Sequence, residues 1–313
     1  DATAAASLTK SAEAIRSAIE GHLWDDDAGA YTNLDASGAH SPRLAPTSFY
    51  PLLAGAASRE RAERLVNEQL LDEARFWGRF ALPSIRRDDP AFADQVYWRG
   101  RIWPPTNYLV YLGLRRYGFT DAAHALAERS FAMFAAGWRE HGHCFENYNA
   151  VTGQGDDGSD SDAFYGWGAL MPLMRVDDAV FASPWEGLSV DVQRGPLRIG
   201  TLWRGRTVRL EPGSDPGAWR LTLDDTALIG GDGACRLSGI EVGRGRLAFD
   251  VDSPAALALH VPGLRAAHVL HAALPDGVSL EQDADGGVLH VSAGRHHVGL
   301  SLTADWEPGR DES

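Results

Sequence analysis

The spacing of apolar residues changes character once along the chain. In the first part it follows the turn of a helix. Leu8, Ala12, Ile15, Ile19 and Leu23 recur at intervals of 4, 3, 4 and 4, which places them on one helical face. Ser58 stands where an N-cap precedes a helix carrying Ala62, Leu65, Val66 and Gln69. Trp103, Asn107, Val110 and Leu114 share another face, with Pro104 and Pro105 in the first turn and Gly118 past the end. Thr120 is expected to cap a helix running through Leu126, Ser130 and Met133, and a last helix is expected over 163–174. Long segments rich in Trp, Tyr, Gly and Asp separate these helices, and such loops on a helical scaffold often carry function.

From about residue 187 the period becomes 2. Leu188, Val190 and Val192 alternate with other residues, as do Trp219, Leu221 and Leu223, then Leu257, Leu259 and Val261, then Val298, Leu300 and Leu302. Glycine-rich turns such as "DADGG" (283–287) divide the runs. Short strands at this spacing predict an all-β antiparallel sandwich. The join, "RVDDAVFASPWEG", contains Pro184. The expected division is a mainly helical part over 1–182, a sandwich over 187–306 and a disordered tail over 307–313.

Composition narrows the partners. The 313 residues suffice for two cores. A formal net charge of -14 lacks the basic footprint that nucleic acid requires. No apolar run approaches the roughly 20 residues of a membrane span, so neither partner is expected. Cys144 and Cys235 fall in different parts of the chain, which argues against a disulfide framework. The first Met is Met133, so the chain is expected to begin after processing or to be a piece of something longer. Any targeting segment would lie upstream, which leaves location open.

Two stretches could carry chemistry. "YWRGRIWPPTN" gathers Tyr97, Trp98, Arg99, Trp103 and Asn107 around Gly100. Aromatic faces stack on the C–H faces of sugars, and Arg and Asn answer hydroxyl groups. Equally, Trp98 and Trp103 could be core aromatics, with Arg99 answering a buried acid. "FENYNAVTGQGDDGSDSDAFYGWGAL" places Glu146 beside Tyr148 and Asn149, with Trp167 further on. A carboxylate there can be a general base, or a cap or arginine partner. Trp167 can stack on sugar or fill the core. The acids Asp156, Asp157, Asp160 and Asp162 lack the spacing of a calcium loop, and His141, His143 and Cys144 that of a zinc site. His296 and His297 are adjacent in a strand and point to opposite faces. No cofactor or metal is expected.

Together, "YWRGRIWPPTNYLVYLGLRRYG" and, some 40 residues later, "ENYNAVTGQG…FYGWGAL" resemble the (α/α)6-barrel glycosidases of glycoside hydrolase family 63. Processing α-glucosidase I and mannosylglycerate hydrolases are among that family's relatives, and trehalases are more distant. The resemblance covers roughly residues 5–175. It implies inverting hydrolysis of an α-glycosidic bond in an α-glucoside or α-mannoside. It makes Glu146 the general base, and it places Tyr97, Trp98, Arg99, Gly100, Trp103, Asn107, Tyr148 and Trp167 at the sugar. One position departs: Arg101 stands where many members have Pro.

Inversion needs a second carboxylate on the opposite face of the sugar, ~6.5–9.5 Å from the first. The family's acid is an Asp well over 200 residues before the base, and no matching "DNSP"-like segment occurs here. In-chain substitutes are Asp89, Asp94 and Asp162. A toroid of this kind needs twelve helices, and about half that number is expected, so the barrel is read as incomplete. Its partner would be the missing N-terminal part or another chain, besides an oligosaccharide or small glycoside substrate. Competing readings are a polysaccharide lyase or sugar epimerase on a helical barrel, using His141, His143 or Tyr148, and a non-catalytic carbohydrate-binding module.

Overall fold

The computed structural model describes residues 1–158, 160–183, 187–195, 197–243, 245–282, 286–304 and 306. The chain divides into two compact units, Asp1–Arg175 and Val176–Ser313.

The first unit is helical. Helix α1 (Ala2–Ala18) begins at Asp1, whose carboxylate accepts the Thr3 N–H at 2.9 Å, and widens into a π turn over Ile19–Leu23. Only the far end of its apolar stripe is packed. Ile19 and Leu23 lie against the core, whereas Leu8 and Ile15 are 71% and 61% exposed. Helices α2 (Tyr50–Ala54) and α3 (Arg59–Leu65) follow. Ser58 caps α3 as its position predicts, accepting the Arg61 N–H at 3.3 Å and so satisfying a donor that the first turn leaves over.

Helix α4 (Pro104–Arg116) starts on its two prolines, which makes Trp103 the cap. It lies close on α2: a Cβ on Gly113 would stand 2.9 Å from the Leu53 nitrogen. Helix α5 (Thr120–His141) has Phe119 before it and no side-chain cap, so Thr120 is its first residue rather than its cap. Its inner face, including Leu126, Ala127 and Met133, joins Leu52, Leu65, Phe76, Val110 and Leu114 in the core.

The last helix starts later than the apolar pattern predicts. Ala163 bridges Phe145, with main-chain hydrogen bonds on either side of the bridge, and Phe164 turns at φ +58°. A single turn follows over Gly166–Ala169, and then α6 (Leu170–Ala179). The backbone groups of this stretch find partners across the chain, so the first residues of the predicted helix are drawn away from it.

The second unit holds two antiparallel sheets. One has six strands, in the spatial order Val269–Ala273, Gly294–Leu302, Arg246–Ser253, Arg236–Gly243, Gly187–Asp191, Val180–Ser183. The other has seven: Val278–Gln282, Gly286–Val291, Leu257–Pro262, Thr226–Gly231, Trp219–Leu223, Arg206–Pro212, Ile199–Trp203. Alternation sends every second residue inward. Leu237, Phe249, Val298 and Leu300 from the first share one core with Leu210, Leu221, Leu259 and Leu289 from the second. Residues 184–186 of the join, 283–285 of the expected turn and the tail 307–313 lie outside the described residues.

Candidate active site

Four short segments of the first unit lie side by side. Ile102 pairs with Pro83 on one side and with Tyr148 on the other. Its N–H donates to the Tyr148 carbonyl at 2.7 Å, and the Tyr148 N–H donates back to its carbonyl at 2.9 Å. The Tyr148 segment pairs in turn with the fourth, where Phe145 stands opposite Ala163. There the Glu146 N–H donates to the Asp162 carbonyl at 2.8 Å, and the Phe164 N–H to the Cys144 carbonyl at 2.9 Å. Backbone hydrogen bonds thus join two motifs that are distant in sequence, and Glu146 rides on the segment between them.

Aromatic rings form one wall. Trp98 stacks on Trp103 at 3.8 Å between centroids and 13° between planes, and Tyr97 meets Trp103 edge-on at 4.9 Å. Trp103 is buried and donates its indole N–H to the Tyr97 carbonyl at 3.0 Å. Tyr97 and Trp98 are each 46% exposed, so their outer faces are open for stacking. The tight backbone around them needs Gly100, at φ +105°, where a Cβ would stand 2.5 Å from Gln95 Nε2 and 2.6 Å from the Phe92 carbonyl oxygen. Tyr97 itself sits at φ +46°, a conformation uncommon for a large side chain.

Glu146 is partly exposed and makes no ion pair with Arg, Lys or His among the described residues. Burial first, and the Asp162 charge second, hold its carboxyl above the ordinary carboxylate range. Hydrogen bonding from the Asp162 backbone and the Asn147 side chain pulls the other way. Asn147 Nδ2 lies 3.5 Å from Glu146 Oε2. Trp167 Nε1 donates to the Glu146 main-chain carbonyl at 2.8 Å, and its ring meets Trp103 edge-on at 5.8 Å.

Other predicted residues are placed apart from this open wall. Asn107 is fully buried on α4; its Oδ1 accepts the Leu82 N–H at 3.2 Å and its Nδ2 donates to the Ala81 carbonyl at 2.7 Å. Both polar atoms of its amide are thereby occupied by main chain. Tyr148 is buried, its hydroxyl accepts the Phe145 N–H at 3.2 Å, and burial pushes its phenol up to about 12. Arg99 turns outward to Asp94 at 2.9 Å. Asp89 caps the turn Pro90–Asp94, accepting the Ala91 N–H at 2.8 Å and Arg43 Nη1 at 3.2 Å.

Sequence reasoning missed the polar layer behind Glu146. Arg101, 2% exposed, reaches Asp157 at 2.9 Å and donates through Nε to Asn147 Oδ1. Asn147 also donates to the Asp160 carbonyl at 2.7 Å, and Asn149 donates to Asp157 at 2.5 Å. The signal was present in the departure at Arg101, a second cation two residues after Arg99.

Among the described residues, no group of three or more His, Cys, Asp or Glu comes together that could hold a metal ion. His143 meets Phe145 edge-on at 4.7 Å and Phe164 at a tilt at 4.4 Å. His141 faces Asp156 at 3.4 Å. In the second unit, His297 turns to Asp250 at 2.8 Å and His296 to Ser292 at 3.2 Å. A cleft of ≈ 230 Å³ opens elsewhere in the first unit, lined by Ile19, Leu23, Tyr31, Ser48 and Tyr50 among others. Glu146 is not part of its lining.

Residues 1–167 match the mannosylglycerate hydrolase MGH1-like glycoside hydrolase domain. A mannosylglycerate hydrolase of Thermus thermophilus is 36% identical over 157 residues, which are 48% of this chain and 34% of that protein. Mannosylglycerate hydrolase MGH1 of Selaginella moellendorffii is 34% identical over 155 residues, 48% of this chain and 29% of that protein. Among solved structures, a GH63 mannosylglycerate hydrolase from Thermus thermophilus in complex with glucose is 32% identical over 51% of this chain and 38% of its own, with a TM-score of 0.43. The chain thus spans about a third of the length of the curated relatives it matches. With more than half of its residues matched, the chain belongs to the family of MGH1-like glycoside hydrolase domains.

Proposed function

We propose that this chain is the base-bearing portion of an inverting α-glycosidase. Glu146 takes the proton from a water attacking the anomeric carbon. The acid that protonates the leaving oxygen stands on the opposite face of the sugar and comes from outside this chain. The observation that carries this reading is the state of Glu146: a carboxylate with no paired cation among the described residues, held above its usual range, on a segment joined to the Tyr97–Asn107 motif by the Ile102–Tyr148 pairing. A carboxylate neutralised by arginine would be a poor base, whereas this one keeps its proton affinity.

Tyr97 and Trp98 take the sugar on their exposed faces. Trp103, Gly100, Asn107, Tyr148 and Trp167 hold the loops, and Arg99 answers hydroxyl groups at the rim. The relatives named for mannosylglycerate favour a small α-mannoside or α-glucoside as substrate. The helical unit is read as the C-terminal part of an (α/α)6 toroid, and the two sheets as a sandwich. The unpacked stripe of α1, Leu8 and Ile15, is then covered by the rest of the barrel.

The test uses the assembled enzyme. Glu146→Gln loses most of its turnover and keeps its affinity for sugar, because the base acts mainly in the transition state. Proton NMR of the fresh product shows the inverted anomer. Retained turnover in Glu146→Gln overturns the base, a product of unchanged anomeric configuration overturns inversion, and an unsaturated or epimerised sugar overturns hydrolysis.

A further inference from the structure

We infer that Asp162 is a positioning residue for Glu146: a second carboxylate on the residue that is hydrogen-bonded to its main chain, whose charge makes Glu146 the stronger base. The inference rests on the reading of Glu146 as the general base and adds how that base is tuned.

The geometry comes from the backbone. Phe145 and Ala163 form an isolated antiparallel bridge, and one step on from it the Glu146 N–H donates to the Asp162 carbonyl at 2.8 Å. This hydrogen bond holds the two acidic residues next to each other. Like charges next to each other raise the proton affinity of one or both.

The surroundings do not relieve the repulsion. On the segments packed around Glu146 the titratable and charged groups include His141, His143, Cys144, Tyr148, Asp156, Asp157, Asp160, Asp162, Tyr165, Arg99 and Arg101. Arg101 is engaged by Asp157 and Asn147, Arg99 by Asp94, and His141 faces Asp156. His143 meets one phenyl ring edge-on and another at a tilt. Asp162 is the acid whose charge bears on Glu146, and among the described residues neither of the two meets Arg, Lys or His.

The same placement argues against Asp162 as the missing acid. An inverting pair must flank the sugar from opposite faces with water beside the base. Two carboxylates on residues joined by a main-chain hydrogen bond approach the substrate from the same side. The arrangement therefore sharpens the base and leaves proton donation to another group.

The test reads Glu146 directly. In the 313-residue chain labelled at glutamate carboxyl carbons, the Glu146 resonance is the one absent from Glu146→Gln, and its titration midpoint is followed in Asp162→Asn and Asp162→Ser. The expected result is a downward shift in both, with no shift in Asp160→Asn. In the assembled enzyme the acidic limb of the kcat/KM profile moves down with it. An unmoved Glu146 midpoint in either folded Asp162 variant overturns the inference, as does an equal shift in Asp160→Asn. Loss of all turnover in Asp162→Asn with an unshifted midpoint assigns Asp162 to the chemistry instead. Glu146→Gln that keeps its turnover overturns the base reading while leaving the titration result standing, so the two failures are distinguishable.

Discussion

The indole N–H of Trp167 donates to the main-chain carbonyl of Glu146 at 2.8 Å, while the Glu146 N–H is held by the Asp162 carbonyl at 2.8 Å. The two hydrogen bonds fix the peptide groups on both sides of the Glu146 Cα. The carboxylate is thereby aimed by its backbone and not by a cation at its tip. A carboxylate held in this way keeps its charge free for a proton.

Replacing Trp167 with Phe keeps an aromatic ring beside Trp103 and Tyr165 and removes the donor. One neutral hydrogen bond is worth about 1 kcal/mol, or roughly a fivefold change in an equilibrium. The expected outcome is a turnover reduced by about that factor, with a smaller change in KM. Steady-state kinetics of the assembled enzyme check it. A larger effect on KM than on kcat places the ring against the sugar instead.

Gly100→Ala tests the turn under the aromatic wall. The position combines φ +105° with a Cβ site 2.6 Å from the Phe92 carbonyl oxygen, which is backbone and cannot swing aside. Strain at such a conformation amounts to about 1–3 kcal/mol, and the clash adds to it. The variant is expected to unfold at clearly lower urea concentration, read by circular dichroism, and to lose the quenched emission of the stacked Trp98 and Trp103.

Arg101→Met tests the layer behind Glu146. Removing the guanidinium leaves Asp157 without its cation and Asn147 Oδ1 without its donor. Breaking a buried pair by deleting one partner destabilises by about 3–5 kcal/mol. Asp157 retains some solvent contact, with 20% of its side chain exposed, so the lower end is expected. Adding Asp157→Asn to Arg101→Met recovers part of the loss, because no unpaired charge remains. Urea denaturation of the single and double variants measures the coupling.

How far the site could be read from the sequence follows the range of the forces involved. Ser58 and the prolines that open α4 act locally, and their positions marked the helix starts. Trp98 and Trp103 announced an aromatic cluster by composition. Asn107 was legible in two ways. Its spacing with Val110 and Leu114 put it on the inner face of α4, which is where it lies, while the motif put it at the sugar. Its burial between Ala81 and Leu82 depends on a segment 25 residues away and left no periodic trace. The late start of α6 has the same origin: residues 162–164 carry a helical pattern but are hydrogen-bonded through their main chain to 144–146. The Leu8 and Ile15 stripe had the right period and is unpacked, since period marks a face and does not specify what covers it. Arg101 was visible as a departure, but its partners Asn147 and Asp157 are joined to it only by the fold.

The state of Glu146 also predicts how stability depends on pH. Its carboxyl is raised above the value of 4.5 that an unperturbed glutamate has, so the folded chain binds this proton more tightly than the unfolded chain. The stabilising contribution is therefore complete below about pH 4.5, where both states are protonated. It is lost as pH rises through the folded value, since ionising Glu146 against burial and the Asp162 charge is harder in the fold than in the open chain. Gln has no such penalty and approximates the protonated form. Glu146→Gln is expected to match the parent in denaturant midpoint at acidic pH and to exceed it at neutral pH, with the gap opening between the two carboxyl values. Urea titrations of both chains from pH 4 to 7 measure this. A constant gap across that range means that the carboxyl is not raised, and a Gln variant less stable at neutral pH means that the Glu146 charge is held by a favourable partner. A chain whose stability improves when Glu146 is neutralised carries local repulsion at that residue.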